Sequence, residues 1–287
     1  MLKWILLMAT GLIWGSSFIL MKKALIVYSP NQVASMRIFV ASMALLPWVI
    51  WRLKGLDKRK LMLLLVAGLA GNCIPAFLFA TAQTEMDSSM AGMMNSLVPI
   101  IALILGLIFF KMETNRMQII GIALGLTGAI TLMYDPSAKF IFNKPTWLIL
   151  TASTLYAINM NVVGRYLRDV PAITVSGVAL LWVGPVCGIY LFSTDFIQRT
   201  SEHEFAFWAF LSIMVLAVVG TAFALVLFNK LLSIAGTLIA SMSTYIIPVF
   251  ALMWGVLDGE QPEWFRVIGV LIILSGVYLV NKKKVAK

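Results

Sequence analysis

Long apolar stretches separated by short polar connections dominate the chain. Ten such stretches lie near 4–21, 31–50, 61–80, 88–110, 117–134, 146–163, 172–192, 207–228, 235–257 and 264–280. A helix needs roughly 20 apolar residues to cross a hydrocarbon layer of about 30 Å. The pattern therefore predicts an all-α integral membrane protein with ten transmembrane helices, and the short connections make sequential helices antiparallel neighbours.

The second half of the chain repeats the pattern of the first. Six positions, Ala91, Met93, Pro99, Ala102, Leu103 and Gly106, recur at an offset of 149 residues as Ala240, Met242, Pro248, Ala251, Leu252 and Gly255. Because five spans is an odd number, two copies of five lie in opposite orientations in a membrane. We therefore expect two inverted five-helix repeats, residues 1–138 and 139–287.

Composition and charge agree with a membrane protein. The chain is 61% hydrophobic and 12% charged, and its net charge of +10 is spread over the loops, so we expect no nucleic-acid partner. With the N-terminus inside, alternate loops carry 15 Lys and Arg residues on one side and 6 on the other. By the positive-inside rule, this predicts a multi-pass protein of the bacterial inner membrane with both termini cytoplasmic.

Enzyme chemistry has little support in the sequence. The single histidine, His203, lies in a predicted external loop, and no G-x-S-x-G or G-x-x-x-x-G-K-[ST] motif occurs. Cys73 and Cys187 lie inside predicted helices, where we expect them to act as small apolar residues. We therefore expect no catalytic residue, no metal and no cofactor.

Polar and aromatic side chains inside the predicted spans form repeat-related pairs. Trp14 matches Tyr156 and Ser17 matches Asn159 at an offset of 142, while Asn72 matches Thr221 and Asn95 matches Thr244 at 149. Since lipid cannot satisfy polar groups, we expect these side chains to form a site for a small zwitterion or polar metabolite. Phe77, Phe223 and Tyr245 would supply its apolar wall. Alternatively, the amides and hydroxyls only join helices.

Arg37 and two prolines are the other notable residues inside the spans. An arginine at the bilayer centre costs about 2.5–3.5 kcal/mol on insertion scales, so Arg37 should have a partner or snorkel outward. Glu85 and Asp87, in the turn between the third and fourth spans on the same side, are the candidate partners, and a substrate carboxylate is the alternative. Pro99 and Pro248 hold equivalent positions, where they act as hinges, shape the pathway or form static kinks. Gly121, Gly125 and Gly128 allow close helix packing or a dimer contact.

Four short segments carry a family resemblance: Leu12-Ile13-Trp14-Gly15-Ser16-Ser17-Phe18, Met36-Arg37-Ile38, the prolines of the fourth and ninth spans, and Gly259-Glu260. They resemble the EamA-type permeases of the drug/metabolite transporter superfamily, over essentially the whole chain. The resemblance implies a ten-helix bundle whose pathway is lined mainly by the first, third, fourth, sixth, eighth and ninth helices. The chain departs from the pattern at Lys111-Met112-Glu113, where the family usually has Gly-Glu.

The resemblance and the paired polar residues together predict a secondary transporter. We expect a permease that exports amino acids or related small metabolites by alternating access, as a monomer or homodimer in contact with membrane lipid. A multidrug or nucleotide-sugar carrier of the same superfamily and a non-transporting scaffold are the alternatives. All twelve acidic residues fall in predicted loops or at helix ends, so no midplane proton site is evident and we expect facilitated diffusion or exchange.

Overall fold

A computed structural model describes residues 1–133 and 143–259, together with positions 268, 269, 271, 272, 275, 276 and 279. All regular secondary structure in these residues is helical. Seven helices of the described part are long and apolar enough to cross a membrane. The chain is therefore a helical membrane protein. The expected junction at 138/139 and the turn residue Glu260 lie outside the described residues.

Five helices make up the first half: α1 (Leu2–Ala24), α2 (Pro30–Val49), α3 (Lys58–Ala82), α4 (Ser88–Phe109) and α5 (Arg116–Met133). Local sequence explains where two of them begin. The Ser29 side chain accepts a hydrogen bond from the Gln32 amide, and Gln32 accepts one from the Ser29 amide, which caps α2. Asp57 caps α3 by accepting from the Lys60 amide at 2.7 Å.

The second half begins with α6 (Lys144–Tyr166) and α7 (Ala172–Phe192), followed by a short helix, Phe196–Glu202. A helical run then extends over Ala206–Ser241 and continues as Ser243–Leu257. Gly236 interrupts this run with φ 80° and ψ 170°, a conformation that glycine adopts readily. We therefore divide the run into α8, residues 206–235, and α9, residues 237–257. The described positions 268, 269, 271, 272, 275, 276 and 279 are helical, and the label α10 refers to these positions alone.

The helices of the two halves pack in matching pairs. The helices α2 and α7 lie against each other at the centre, where a Cβ at Gly184 would meet the Ser42 side chain. The helix α1 packs against α8 and α9, and α6 packs correspondingly against α3 and α4. Gly15 permits the close approach of α1 and α9, since a Cβ there would lie 2.9 Å from the Ile247 carbonyl oxygen. These helix pairs of one half therefore have counterparts in the other.

The glycines of α5 take part in packing within the chain. The Tyr245 ring lies so close to α5 that a Cβ at Gly125 would be 2.5 Å from it. A Cβ at Gly276 would likewise be 2.5 Å from the Gly121 carbonyl oxygen, which shows how closely α10 approaches α5. These small residues thus allow α9 and α10 to pack closely against α5.

Irregular turns interrupt the helices at equivalent places. Both α3 and α8 contain a π-helical segment, Leu69–Cys73 and Val218–Phe223, and the two segments begin 149 residues apart. In α4, the 3₁₀ turn Asn95–Leu97 comes shortly before Pro99. In α9, a turn at Met242 precedes Pro248, which lies inside Ser243–Leu257. The prolines therefore follow local breaks in the helix, and both are buried.

Candidate functional site

A cavity lies near the middle of the bundle and is lined by residues of α1–α4 and α6–α9. Counted over the positions that the centre of a water molecule can take, its volume is about 80 Å³. One water needs roughly 10–15 Å³ by this measure, so the space holds several waters or a small molecule. Phe18, Met21, Phe79, Leu225 and Phe228 supply much of its apolar wall.

Most of the residues expected at a binding site meet in this cavity. Its wall includes both members of all four repeat-related pairs: Trp14, Tyr156, Ser17, Asn159, Asn72, Thr221, Asn95 and Thr244. These side chains come from α1, α3, α4, α6, α8 and α9. Polar groups that are far apart in the sequence are thus brought to one place.

The three aromatic residues expected as apolar wall do not line the cavity. Phe223 is 52% exposed on the outside of the bundle. Tyr245 is fully buried, but its hydroxyl donates to the Ile122 carbonyl at 3.2 Å. Phe77 is two residues from Phe79, and residues two apart lie on nearly opposite faces of a helix. The aromatic wall comes instead from Trp14, Phe18, Phe79 and Phe228.

Arg37 lines the cavity and is held by a side chain of the other half. Its Nε donates to Thr221 Oγ1 at 2.7 Å, and that hydroxyl donates to the Leu216 carbonyl at 3.0 Å. The expectation that Glu85 or Asp87 pairs with Arg37 is wrong. Both carboxylates are exposed, and Glu85 pairs with Lys144 at 3.5 Å. Arg37 points into the bundle rather than toward the loop.

The π-helical segments hold two of the paired polar residues. Asn72 Nδ2 donates to the Ala67 carbonyl at 3.1 Å, five residues earlier, as Thr221 does in α8. A π turn releases carbonyls from the regular α-helical pattern and is frequent at functional sites. Each side chain therefore satisfies a carbonyl of its own helix while it faces the cavity.

Two amide oxygens of the cavity wall have no hydrogen-bond partner within the described residues. They are Asn95 Oδ1 in α4 and Asn159 Oδ1 in α6. Gly71 makes room for the Asn159 amide, because a Cβ at Gly71 would clash with it. A buried polar atom without a partner costs roughly 1–3 kcal/mol. Both oxygens are thus available to accept hydrogen bonds from a bound molecule.

Two further polar residues of the wall were missed by sequence reasoning. Asn229 Nδ2 of α8 donates to Ser176 Oγ of α7 at 2.8 Å, and both residues are buried. The counterparts of these residues at the repeat offsets are Ala80 and Ala34, so a search for paired polar positions passes over them. Only their burial and their contact identify them.

A second, smaller hollow lies beside the cavity toward one end of the bundle. It shares the wall residues Val163, Val175 and Asn229 with the cavity and reaches Arg168 and Ser233. We call this the Asp169 end, after the loop residue that pairs with Lys60 at 2.6 Å. The hydrogen bond from Lys60 lowers the pKa of Asp169 below its usual value, so this surface pair is charged at neutral pH.

The opposite end, which we call the Asp258 end, is closed by direct contacts. The rings of Phe18 and Phe79 meet edge to face with 5.7 Å between centroids, and Gln83 Nε2 donates to the Phe18 carbonyl at 3.2 Å. Farther out, Asp258 after α9 pairs with Lys22 at 2.8 Å and also with Lys23, both at the end of α1. The hollow beside the cavity therefore lies toward the Asp169 end, opposite these contacts.

Similar proteins are found over nearly the whole chain. An uncharacterized transporter of Archaeoglobus fulgidus is 26% identical over 98% of this chain and 97% of its own length. The uncharacterized inner membrane transporter YedA of Escherichia coli K12 is 25% identical, over 97% of this chain and 92% of its own length. Protein PagO of Salmonella typhimurium is 23% identical over 96% and 91%, respectively.

A solved structure supports the fold, and a family model identifies the family. A crystal structure of another protein matches this fold with a TM-score of 0.72 at 14% identity, over 96% of this chain and 95% of that chain. The sequence model of the EamA-like transporter family matches twice in succession, over residues 1–134 and 143–282. The chain therefore belongs to the EamA-like transporter family, within the drug/metabolite transporter superfamily.

Proposed function

We propose that the protein is a secondary transporter that exports amino acids or related small metabolites by alternating access. The observation that carries this proposal is the central cavity, in which polar side chains of both halves face a space suited to a small molecule. Membership of a transporter family supports it. The paired residues, from Trp14 to Thr244, are the proposed binding residues, and Arg37 is added to them.

The proposed architecture is ten transmembrane helices in two inverted five-helix repeats, residues 1–138 and 139–287. The matching helix contacts and the π-helical segments 149 residues apart support it. The 15 to 6 distribution of basic residues supports cytoplasmic termini. The relative YedA is named an inner membrane transporter, and we propose the same location. The chain works in contact with lipid as a monomer or homodimer.

Transport would proceed by rocking of one repeat against the other around the cavity. With the termini inside, the Asp169 end faces the cytoplasm, so the described conformation is the one from which an exporter loads its substrate. Opening outward would separate Phe18 from Phe79 and break the bond from Gln83. Pro99 and Pro248, beside the helix breaks of α4 and α9, are the proposed hinges.

The chemistry of the wall weighs against the alternatives. Arg37 is the only charged residue among the described residues of the wall, which disfavours a cationic drug as substrate. A non-transporting scaffold has no need for polar groups around a central cavity.

Counterflow in proteoliposomes tests the proposal. Purified protein is reconstituted with each unlabelled amino acid inside, and uptake of the labelled compound is followed. Nucleosides and quaternary amines serve as further compounds. We expect saturable uptake of at least one amino acid or related metabolite. Gly71→Leu, which fills the space beside Asn159, should abolish it, while Gly55→Ala, where a Cβ meets nothing within 4 Å, should not. Absence of counterflow for the whole set would contradict the proposed function.

A further inference from the structure

The central site offers donors on one side and acceptors on the other. Arg37 of α2 uses its Nε for Thr221, and its two terminal amino groups have no acceptor among residues 1–133 and 143–259. The oxygens of Asn95 and Asn159, on α4 and α6, have no donor in the same residues. We propose that the substrate is a zwitterion whose carboxylate binds Arg37 and whose ammonium group binds the side-chain oxygens of Asn95 and Asn159.

This inference rests on the proposed function and deepens it, since it assigns each charged group of the substrate to named side chains. The first step concerns the carboxylate. A guanidinium presents its donors in a planar fork that matches the two oxygens of a carboxylate. Thr221 holds the fork at Nε and leaves the terminal groups for a ligand. Arg37 is half-buried, and a guanidinium withdrawn from bulk water without an anionic partner is costly, so binding of a carboxylate is favoured.

The second step concerns the charge of the whole molecule. Arg37 supplies one positive charge, and none of the described acidic residues lines the cavity. A dianion would leave one charge uncompensated, and an amine without a carboxylate would be repelled by Arg37. A simple carboxylate would leave the oxygens of Asn95 and Asn159 unsatisfied. A zwitterion is the ligand that satisfies all three side chains.

The third step is the spacing of the two subsites. Arg37 of α2 and Tyr156 of α6 both line the cavity, so this face of α6 is turned toward the same space as the guanidinium. Asn159 follows Tyr156 by three residues, and side chains three apart on a helix are neighbours, with roughly 5–6 Å between their Cβ atoms. The Asn159 amide also lies against Gly71 in the cavity wall. One small molecule can therefore reach Arg37 and Asn159 together.

Binding of matched ligands to the purified protein tests this assignment. The amino acid bound most tightly in isothermal titration calorimetry is compared with its decarboxylated amine and with its N-acetyl derivative. We expect each analogue to bind at least tenfold more weakly, since each loses a charged hydrogen-bonding group. If both analogues bind as well as the amino acid, the assignment is overturned.

Two variants separate recognition from folding. Arg37→Gln should weaken binding of the amino acid at least tenfold, while the decarboxylated amine should bind as well as before or better. Asn159→Leu should weaken binding of the amino acid and leave the N-acetyl derivative unaffected. Thr151→Val, at an exposed position of the same helix, is the control. If Arg37→Gln fails to fold, the Asn159→Leu variant and the two analogues still test the assignment. Equal losses for all three ligands would overturn the assignment.

The outcome of this binding test does not depend on whether the protein transports the ligand. If counterflow is seen with nucleosides or amines and no amino acid binds, transport stands and the zwitterion assignment is wrong. If no compound shows counterflow but the ligand preferences appear as expected, the assignment stands and the proposed transport is wrong. The two claims therefore fail separately.

Discussion

Asn72 and Thr221 hold the same position in two π-helical segments that lie 149 residues apart. Each donates to the carbonyl five residues before it, at 3.1 and 3.0 Å. The two differ in one respect, since Thr221 also accepts a hydrogen bond from Arg37 of α2. The helix α7, which packs against α2, carries no charged residue. Of these two equivalent segments, only the one in α8 therefore contacts a charged side chain.

The first prediction concerns the hydroxyl that holds Arg37. Thr221→Val keeps the shape of the side chain but leaves the Nε of the half-buried Arg37 without an acceptor. We expect a loss of about 1–3 kcal/mol in stability, measured as a lower Tm of the purified protein. Thr127→Val, at an exposed position of α5, is the matched control. Equal Tm values for the two variants would show that the hydrogen bond contributes nothing.

The second prediction concerns membrane topology. The distribution of basic residues places both termini in the cytoplasm and residues 193–206 outside. Alkaline phosphatase fused after Glu202 should therefore be active, while the same reporter fused after Lys287 should be inactive. A green fluorescent protein fusion should give the reverse result. If either reporter placed both fusion sites on the same side of the membrane, this topology and the inverted repeat would both be rejected.

The third prediction uses the two cysteines. Cys73 of α3 and Cys187 of α7 are free, and their Sγ atoms lie 3.9 Å apart. An oxidant such as copper phenanthroline should link them in the membrane, because only a small movement brings the sulfurs to bonding distance. Thiol counting by mass spectrometry should show the loss of two free thiols. Cys73→Ser and Cys187→Ser should each keep the remaining thiol; the persistence of both thiols in the parent protein would contradict this packing of α3 and α7.

The fourth prediction concerns energy coupling. None of the nine acidic residues within the described part lies in the cavity wall, and Glu85 and Asp87 are exposed in the turn between α3 and α4. We therefore expect counterflow to proceed without a pH gradient and to change little when one is imposed. Glu85→Gln and Asp87→Asn should retain wild-type rates. Strong accumulation driven by a pH gradient and lost in either variant would identify a proton carrier instead.

Hydropathy and repeat symmetry predict much of this protein from the sequence. The lengths of the apolar stretches mark most helices, and the two repeat offsets, 142 and 149, find the polar pairs because both members occupy equivalent places. The sequence predicts spans at 207–228 and 235–257. In the structure α8 continues to residue 235, and Gly236 separates it from α9. A single glycine makes this break, and no run of polar residues marks it.

Contacts that break the symmetry were beyond sequence reasoning. Ser176 and Asn229 have alanines at the equivalent positions, so no pairing rule could find them. The partner of Arg37 depends on the rotation of α8, and a π turn inserts one extra residue that alters which side chains face inward. In α3, the rotation of the helix likewise decides whether Phe77 or Phe79 faces the cavity, and Phe79 is the one that lines it.

Two-fold framework symmetry would by itself let a small molecule bind in two equivalent orientations, and would give the conformations open to either side of the membrane equal free energies. The hydrogen bond between Arg37 and Thr221 removes this degeneracy, because it has no counterpart between α7 and α3 among the described residues. In the proposed transport cycle this hydrogen bond would favour one orientation of the ligand and one conformation of the empty protein. A single bond between the halves would then set which side of the membrane the empty carrier faces.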